Sequence, residues 1–291
     1  METTTFASLT VSPLRAHDVQ ACARIAFEAH RQVSIRHGYP PEIASLEAAT
    51  AMFEAKFADA NARGFVAECA GEAVGSAFVN LFPGAPVAAI GPLTVHPEAP
   101  PGTGRRLLDR VVEEVRGRDL AGARLVQSPA HLHSLALYVK AGFVVREPLV
   151  LMEPGAARPP AGSRLRAATA RDVDVCNELC SETHGFPREF ELRAAIDRGI
   201  ASVVEHDGFL GGYCTGIGFR GHAVARTIDD LVALITTAPR TPGPGFFVPI
   251  RDTELLRSLL SCGMRMLWPA TLMTRGEYRP PARPYLPSIA F

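Results

Sequence analysis

The sequence predicts an α/β protein of two tandem domains, each a mixed, mostly antiparallel sheet flanked by helices. Three observations lead there. Of 291 residues 47% are apolar and only 21% charged, enough to bury more than one domain-sized core. Strand-like and helix-like patterns alternate along the chain. A series of short matches also recurs, in the same order, in both halves.

Cys22 and His30 precede Cys176 and His184 at one constant offset, which also relates Asp18-Val19 to Asp172-Val173. His37-Gly38-Tyr39-Pro40-Pro41-Glu42 is echoed by His184-Gly185-Phe186-Pro187-Arg188-Glu189. Glu68, Gly71 and Gly75 correspond to Glu205, Gly208 and Gly212, and Gly142, Pro148, Leu151 and Met152 to Gly263, Pro269, Leu272 and Met273. The offset shrinks while the order is kept, as a duplication with loop deletions in the second copy requires. Residues 154–163 carry three prolines and no apolar periodicity, so they read as a linker between domains 1–153 and 164–291.

In the first half Leu9 to Pro13 is a short strand, and Asp18 to about Arg36 a helix with Val19, Cys22, Ile25, Ala26, Ala29 and Val33 on one face. A second helix runs near Ala44 to Asn61. Phe65–Ala70 and Ala73–Phe82 form a hairpin across Gly71. A strand from Ala88 to Val95 ends at His96-Pro97. After a Pro/Gly-rich loop, Arg105–Arg116 has helical spacing through Leu107, Leu108, Val111, Val112 and Val115. Arg124–Gln127, Leu135–Ala141 and Val144–Met152 then give a strand, a helix and a final pair of strands.

Thirty Lys plus Arg against thirty Asp plus Glu leave a formal charge of +0, which argues against nucleic acid as a partner. Lys56 and Lys140 are the only lysines, which disfavours Schiff-base chemistry. Cys22, Cys69, Cys176, Cys180, Cys214 and Cys262 are scattered through apolar surroundings and read as reduced thiols. Neither a signal-like N-terminus nor a long apolar run is present, so the expectation is a cytoplasmic protein without a membrane partner.

The segment Leu93-Thr94-Val95-His96-Pro97-Glu98-Ala99-Pro100-Pro101-Gly102-Thr103-Gly104-Arg105-Arg106-Leu107-Leu108 is a strand, a two-glycine loop and a helix start. Such a turn aims backbone N–H groups and the positive end of a helix dipole at one point, which suits a phosphate or pyrophosphate, and Arg105 or Arg106 could add charge. Leucine at 107 and the lack of Gly-Lys-Ser/Thr separate it from the dinucleotide and P-loop fingerprints. Downstream, Ser134-Leu135-Ala136-Leu137-Tyr138-Val139-Lys140-Ala141-Gly142-Phe143 is a helix that ends at glycine and turns into a strand.

Together these two segments resemble the GNAT superfamily of acyl-CoA-dependent acetyltransferases. Val95–Leu108 is similar to that family's CoA pyrophosphate motif and Ala136–Phe143 to its following helix and strand. The likeness covers the first half almost end to end, and the second half resembles a degenerate second copy, as in tandem GNAT proteins. It implies an N-acetyltransferase that moves an acetyl group directly from acetyl-CoA, its cosubstrate, to a small-molecule or peptide amine, with no metal. Leu93 and Val95 would meet the acyl donor from the strand, with the Val95 N–H on the thioester carbonyl. Gly102, Thr103, Gly104 and Arg105, with Arg106, would hold the pyrophosphate. Tyr138, near the sulfur, would protonate the leaving thiolate, a transfer typically worth about 10² to 10⁴ in rate. A homodimer is a further implication.

The chain departs from the pattern at two points. Ala99 stands where a Gln or Arg commonly begins the loop, and His131 where a CoA-contacting Asn often lies; weakened rather than abolished cofactor binding is expected. The second copy reads Val224-Ala225-Arg226-Thr227-Ile228-Asp229-Asp230-Leu231, without the glycine pair and with a capping-box pattern at Thr227 and Asp230. Leu259 replaces Tyr138, so this copy is expected to be non-catalytic. The competing readings are a CoA-binding or regulatory module without turnover, and an interaction protein built from two vestigial copies.

Cys176, Cys180 and His184 share a helix face, either as metal ligands or, with Cys180 matching Ala26, as core. His131-x-His133 has no third ligand nearby. His96 is a candidate base that could equally face solvent, and no Glu or Asp lies between Val79 and His96. Glu28, His30, His37 and Tyr39 could line an acceptor pocket, although the repeated His-Gly-aromatic-Pro-x-Glu run also suits a plain helix connection. The apolar tail Tyr285–Phe291 is expected to pack on the protein, between the halves or at a dimer contact.

Overall fold

The computed structural model describes residues 9–153, 155, 164–206, 208–241 and 243–290. The first copy contains β1 (Leu9–Pro13), α1 (Val19–His37), α2 (Leu46–Ala58), β2 (Ala62–Cys69), β3 (Glu72–Asn80), β4 (Val87–Val95), α3 (Thr103–Arg116), β5 (Gly122–Gln127), α4 (Leu132–Lys140) and β6 (Val144–Glu153). The second contains β7 (Arg164–Ala167), α5 (Val173–His184), α6 (Glu189–Asp197), β8 (Ser202–His206), β9 (Phe209–Cys214), β10 (Ala223–Ala225), α7 (Ile228–Thr237), β11 (Phe246–Pro249), α8 (Thr253–Ser261), β12 (Arg265–Gly276) and β13 (Tyr285–Leu286). Apart from Gly155, the expected linker lies outside the described residues.

The strands form two sheets, ordered β1-β2-β3-β4-β5-β12-β6-β11 and β13-β10-β9-β8-β7. The two copies therefore exchange their last strands: β12, the counterpart of β6, lies between β5 and β6, and β11, the counterpart of β5, pairs with the outer edge of β6. Val150 pairs with Pro269, Pro148 with Thr271, and Leu149 with Ala270 between them. Because the repeat equates Pro148 with Pro269, this register is that of a local pseudo-two-fold axis through the Leu149/Ala270 pair. The run Leu149-Val150-Leu151-Met152 is buried on both faces, so it is continuously apolar rather than alternating. The expected final pair of strands is one strand, which runs unbroken through Pro148 beside an irregularity in its pairing with β12.

In the first copy, α3 and α4 cover one face of the sheet with Leu107, Leu108, Val111, Val112 and Tyr138 over Ala77, Val79, Ile90 and Leu125. α1 and α2 cover the other through Cys22, Ala23, Ala26, Ala49 and Phe53 against Val66 and Phe78. Both helix α1 and helix α5 follow a buried aspartate, Asp18 or Asp172, and end at a left-handed glycine, Gly38 or Gly185. Yet α1 has 19 residues and α5 has 12. The difference is about two helical turns, and it reconciles the two offsets that equated both His30 and His37 with His184. The extra turns follow His30 and end at His37.

The tail packs between the halves. Tyr285 and Leu286 pair with Val224 and Ala223 of β10, the Tyr285 hydroxyl donates to Glu147 at 3.4 Å, and Ile289 joins the cluster of Leu149, Leu151, Phe247 and Trp268.

Candidate active site

The site begins with a divergence of strands. β4 pairs with β5 in parallel only through Val87, Ala88 and Ala89, opposite Gly122, Ala123 and Arg124. It continues along β3 to Val95, with one extra residue on its own side between Ala77 and Val79, at Gly91-Pro92. From Ile90 onward β4 stays with β3 and leaves β5, opening a wedge between Val95 and Gln127. His96 N–H donates to the Val74 carbonyl at 2.9 Å. By the alternation of an antiparallel strand, the N–H groups of Val95 and Leu93 point the other way, into the wedge.

Helix α3 starts at the mouth of that wedge. Its N-cap, Gly102, has φ of +90°, a left-handed conformation that glycine adopts without strain, and no side chain caps the helix. Thr103 N–H and Oγ1 both turn back to the Pro100 carbonyl, at 3.2 and 2.7 Å, and Arg106 N–H reaches the Gly102 carbonyl at 3.0 Å. Among the described residues, the N–H groups of Gly102, Gly104 and Arg105 are left without a partner. Gly104 is ordinary helix, and a Cβ there would meet Leu137 and Val95 side chains at 3.4 and 3.5 Å, which is plain contact. The fold itself thus does not demand this glycine, whereas a ligand lying against the loop would. The Arg105 guanidinium is occupied by Asp109 at 2.8 Å, and Arg106 donates to the Leu9 carbonyl, so the loop offers backbone more than side-chain charge.

Tyr138 lies under the wedge on α4, its ring buried edge-on to Phe143 at 6.0 Å. Burial pushes its hydroxyl up to about 12, so it stays protonated throughout the neutral range. Gln127, at the end of β5, follows Ala123 and Leu125 on the face that packs against Tyr138. It is 8% exposed, and both its amide nitrogen and oxygen are buried without a partner among the described residues. Neighbouring Ser128 Oγ is orphaned in the same way. Sequence reasoning missed both, because an orphaned amide is visible only once its surroundings are known. His131 precedes α4, and its Nδ1 meets Ser134 Oγ. Burial lowers its pKa, reinforced by the charges of His133, His30, Arg36 and His37.

The second copy is closed at each corresponding place. Thr227 Oγ1 caps α7 by accepting Asp230 N–H at 3.1 Å, and Asp230 in turn receives the Thr227 hydroxyl at 2.6 Å and contacts His206. Half of the expected capping box forms, since the Asp230 carboxylate goes to these side chains. β13 occupies the edge of β10 that β4 keeps open. Leu259 is buried where the first copy has Tyr138, and the pairing register puts Val248, fully buried, in the place of Gln127.

On the opposite face, α1 and the loop after β4 enclose a cleft of about 390 Å³ lined by Arg24, Ile25, Glu28, Gln32, His96, Pro97 and Glu98. Of the four expected pocket residues Glu28 is in this lining. His30 pairs with Glu42 at 3.2 Å, while His37 stacks on Tyr39, whose ring meets Trp268. His96 Nδ1 accepts the Glu98 N–H at 3.2 Å. A neutral ring so engaged carries its proton on Nε2 and has no free lone pair, so His96 braces the loop and does not suit the role of base. Cys176 and Cys180 lie in the core of the second copy with Leu179, Leu192 and Val203. Burial pushes the Cys176 thiol above its ordinary range and the His184 imidazole down to about 3, with Arg188 adding to the latter shift.

Residues 28–143 match the acetyltransferase (GNAT) family model. No curated protein matches the sequence. The fold is similar to that of a Pyrococcus horikoshii protein classed among the acetyltransferases, at 18% identity and a TM-score of 0.69 over 95% of this chain and 92% of that one. It is also similar to a GCN5-related N-acetyltransferase from Sphaerobacter thermophilus, at 18% identity and a TM-score of 0.61 over 94% and 96%. A tandem GNAT protein from the clavulanic acid biosynthesis pathway aligns at 16% identity and a TM-score of 0.50 over 92% and 98%. The first copy thus carries the match to the GNAT family model, and the whole chain has the fold of tandem GNAT proteins, its second copy without the glycine pair and without a counterpart of Tyr138. Among the described residues, no helix is long and apolar enough to cross a membrane.

Proposed function

We propose that the chain is a cytoplasmic N-acetyltransferase that takes an acetyl group from acetyl-CoA and passes it directly to an amine. The observation that carries this reading is the uncapped start of α3 beside Val95, where the β4/β5 wedge opens: among the described residues three loop N–H groups have no partner, two strand N–H groups point away from β3, and the Gln127 amide is buried and orphaned. These donors fit the acyl donor: Gly102, Gly104 and Arg105 N–H would hold its pyrophosphate, and Leu93, Val95 and Gln127 its arm and thioester. When bound, acetyl-CoA supplies the activated acyl group. The Val95 N–H would stabilise negative charge growing on the carbonyl oxygen, and the Tyr138 hydroxyl would give its proton to the departing sulfur.

The cleft on the α1 side suits an amine, because Glu28 and Glu98 bring two carboxylates to its lining. Either a small molecule or a peptide amine meets that chemistry. The second copy, with its helix start capped and its strand edge filled, is read as a non-catalytic support for the first. The test is to incubate the chain and acetyl-CoA with a panel of polyamines, amino acids, aminoglycosides and peptides, following free thiol and the mass of the product. Amine-dependent thiol release with a matching gain of one acetyl group supports the reading; its absence across the panel refutes it.

A further inference from the structure

We infer that the acceptor is an aminocarboxylate, an amine that carries its own carboxylate, with Glu28 and Glu98 receiving its ammonium and Arg24 its carboxylate. The inference rests on the acetyltransferase reading above and names the class of substrate that reading leaves open.

The cleft adjoins the proposed chemistry along the backbone. Val95, whose N–H points into the wedge, is followed at once by His96, and His96, Pro97 and Glu98 form one wall. Helix α1 forms the other with Arg24, Glu28 and Gln32, spaced one turn apart along a single face, and with Ile25 beside them. Ile25 and Pro97 give the cleft apolar surface for a carbon skeleton.

The charges in this cleft are unspent. Among the described residues, the side chains of Arg24, Glu28 and Glu98 have no hydrogen-bond or ion-pair partner. An arginine and a carboxylate four residues apart on a helix commonly close on each other. Arg105 with Asp109, Arg110 with Glu114, Arg118 with Glu114 and Arg193 with Glu189 all do so, at 2.7 to 3.6 Å. Arg24 and Glu28 have the same spacing, yet they stay apart and line the cleft.

The second copy shows what this carboxylate position attracts. The constant offset that relates Asp18 to Asp172 and Cys22 to Cys176 puts Glu182 of α5 in the place of Glu28. Glu182 is met by two guanidinium groups of the chain itself, Arg283 just before β13 at 2.8 Å and Arg226 from the loop before α7 at 3.6 Å. The closed copy thus supplies from within the cations that Glu28 lacks. Glu178 stands where the first copy has Arg24, so the positive charge belongs to the open cleft alone.

The mixture of signs separates the acceptor classes. A polyamine would satisfy the two carboxylates but set a second cation against Arg24. A simple monoamine would leave Arg24 unmatched. An aminocarboxylate answers both signs, because the planar guanidinium can donate to both oxygens of its carboxylate while the ammonium lies between Glu28 and Glu98.

The test measures kcat/KM by thiol release for matched pairs of acceptors: leucine with isoamylamine, phenylalanine with phenethylamine, lysine with cadaverine and ornithine with putrescine. The full chain is compared with Arg24→Gln, Arg24→Lys and Glu28→Gln. Because Arg24 is exposed and part-screened, the carboxylate is expected to raise kcat/KM by about 5- to 20-fold within the favoured pair. Arg24→Gln should bring that ratio close to one, which a general loss of activity would not do, and Arg24→Lys should recover part of it. Glu28→Gln should raise KM for both members of the pair. Preference for the decarboxylated members, or a ratio unmoved in Arg24→Gln, overturns this inference and leaves the acetyltransferase reading standing. Turnover of polyamines, aminoglycosides or peptides but of no amino acid does the same, whereas no thiol release with any of these amines overturns the parent reading as well.

Discussion

Replacing Gln127 by valine should make the protein more stable and its binding of acetyl-CoA weaker, a pairing of signs that a purely structural residue does not give. The reasoning starts from the orphaned amide. Both polar atoms of Gln127 are buried without a partner among the described residues, and each such group costs on the order of 1–3 kcal/mol. Valine has nearly the same volume, suits a strand, and occupies the equivalent, fully buried position 248 of the closed copy. Removing the orphaned amide should therefore raise stability by about 1–3 kcal/mol, or several degrees in Tm at roughly 2–4 °C per kcal/mol. If the amide serves the acyl donor, losing it should also cost about 1–3 kcal/mol of binding, roughly a 5- to 150-fold rise in Kd. Differential scanning calorimetry and calorimetric titration with acetyl-CoA read the two effects separately. A variant that is stabilised yet binds as tightly as the wild type would refute the assignment of Gln127 to the donor site, and a destabilised one would refute the orphaned-amide argument.

Other perturbations follow from the same geometry. Gly104→Ala places its Cβ at ordinary contact distance and improves helix propensity, so Tm should hold or rise while acetyl-CoA affinity falls at least tenfold by titration. Tyr138→Phe keeps the ring against Phe143 and should retain binding but lose about 10² to 10⁴ in turnover; undiminished thiol release would exclude it as the acid. Because His184 titrates near 3 in the folded chain, the unfolded chain binds its proton more readily. Stability should thus be complete above about pH 6.5 and decline as pH falls toward 3. His184→Gln should flatten part of that decline in chemical denaturation, with His222, also held low by burial, accounting for the remainder. Truncation after Pro284 removes the β13 pairing and Leu286, whose burial alone contributes about 1.5–3 kcal/mol, so Tm should drop by several degrees.

Much of the first copy was legible because its signals are local. The apolar spacing of Leu107, Leu108, Val111, Val112 and Val115 fixes the buried face of α3, and Gly102 is required by a positive φ that the sequence already hinted at. The loss of the glycine pair and of Tyr138 in the second copy was equally plain. What the sequence withheld is non-local. The apolar run at Leu149–Met152 says that a strand is buried on both faces, but which strands flank it depends on an exchange that only the assembled sheet reveals. Gln127 looks like any polar residue ending a strand until its partners are found missing. His96, adjacent to the chemistry in sequence, is spent on its own loop, whereas His30 and Glu42 are brought together by the turn between two helices.

The most direct measurement is the stoichiometry of acetyl-CoA binding to the full chain by isothermal titration calorimetry. One site per chain is expected, held by the open start of α3 in the first copy and weakened by Gly104→Ala. No detectable site would contradict the reading of that loop as a pyrophosphate cradle, and two sites would contradict the closure of the second copy by Thr227 and the tail.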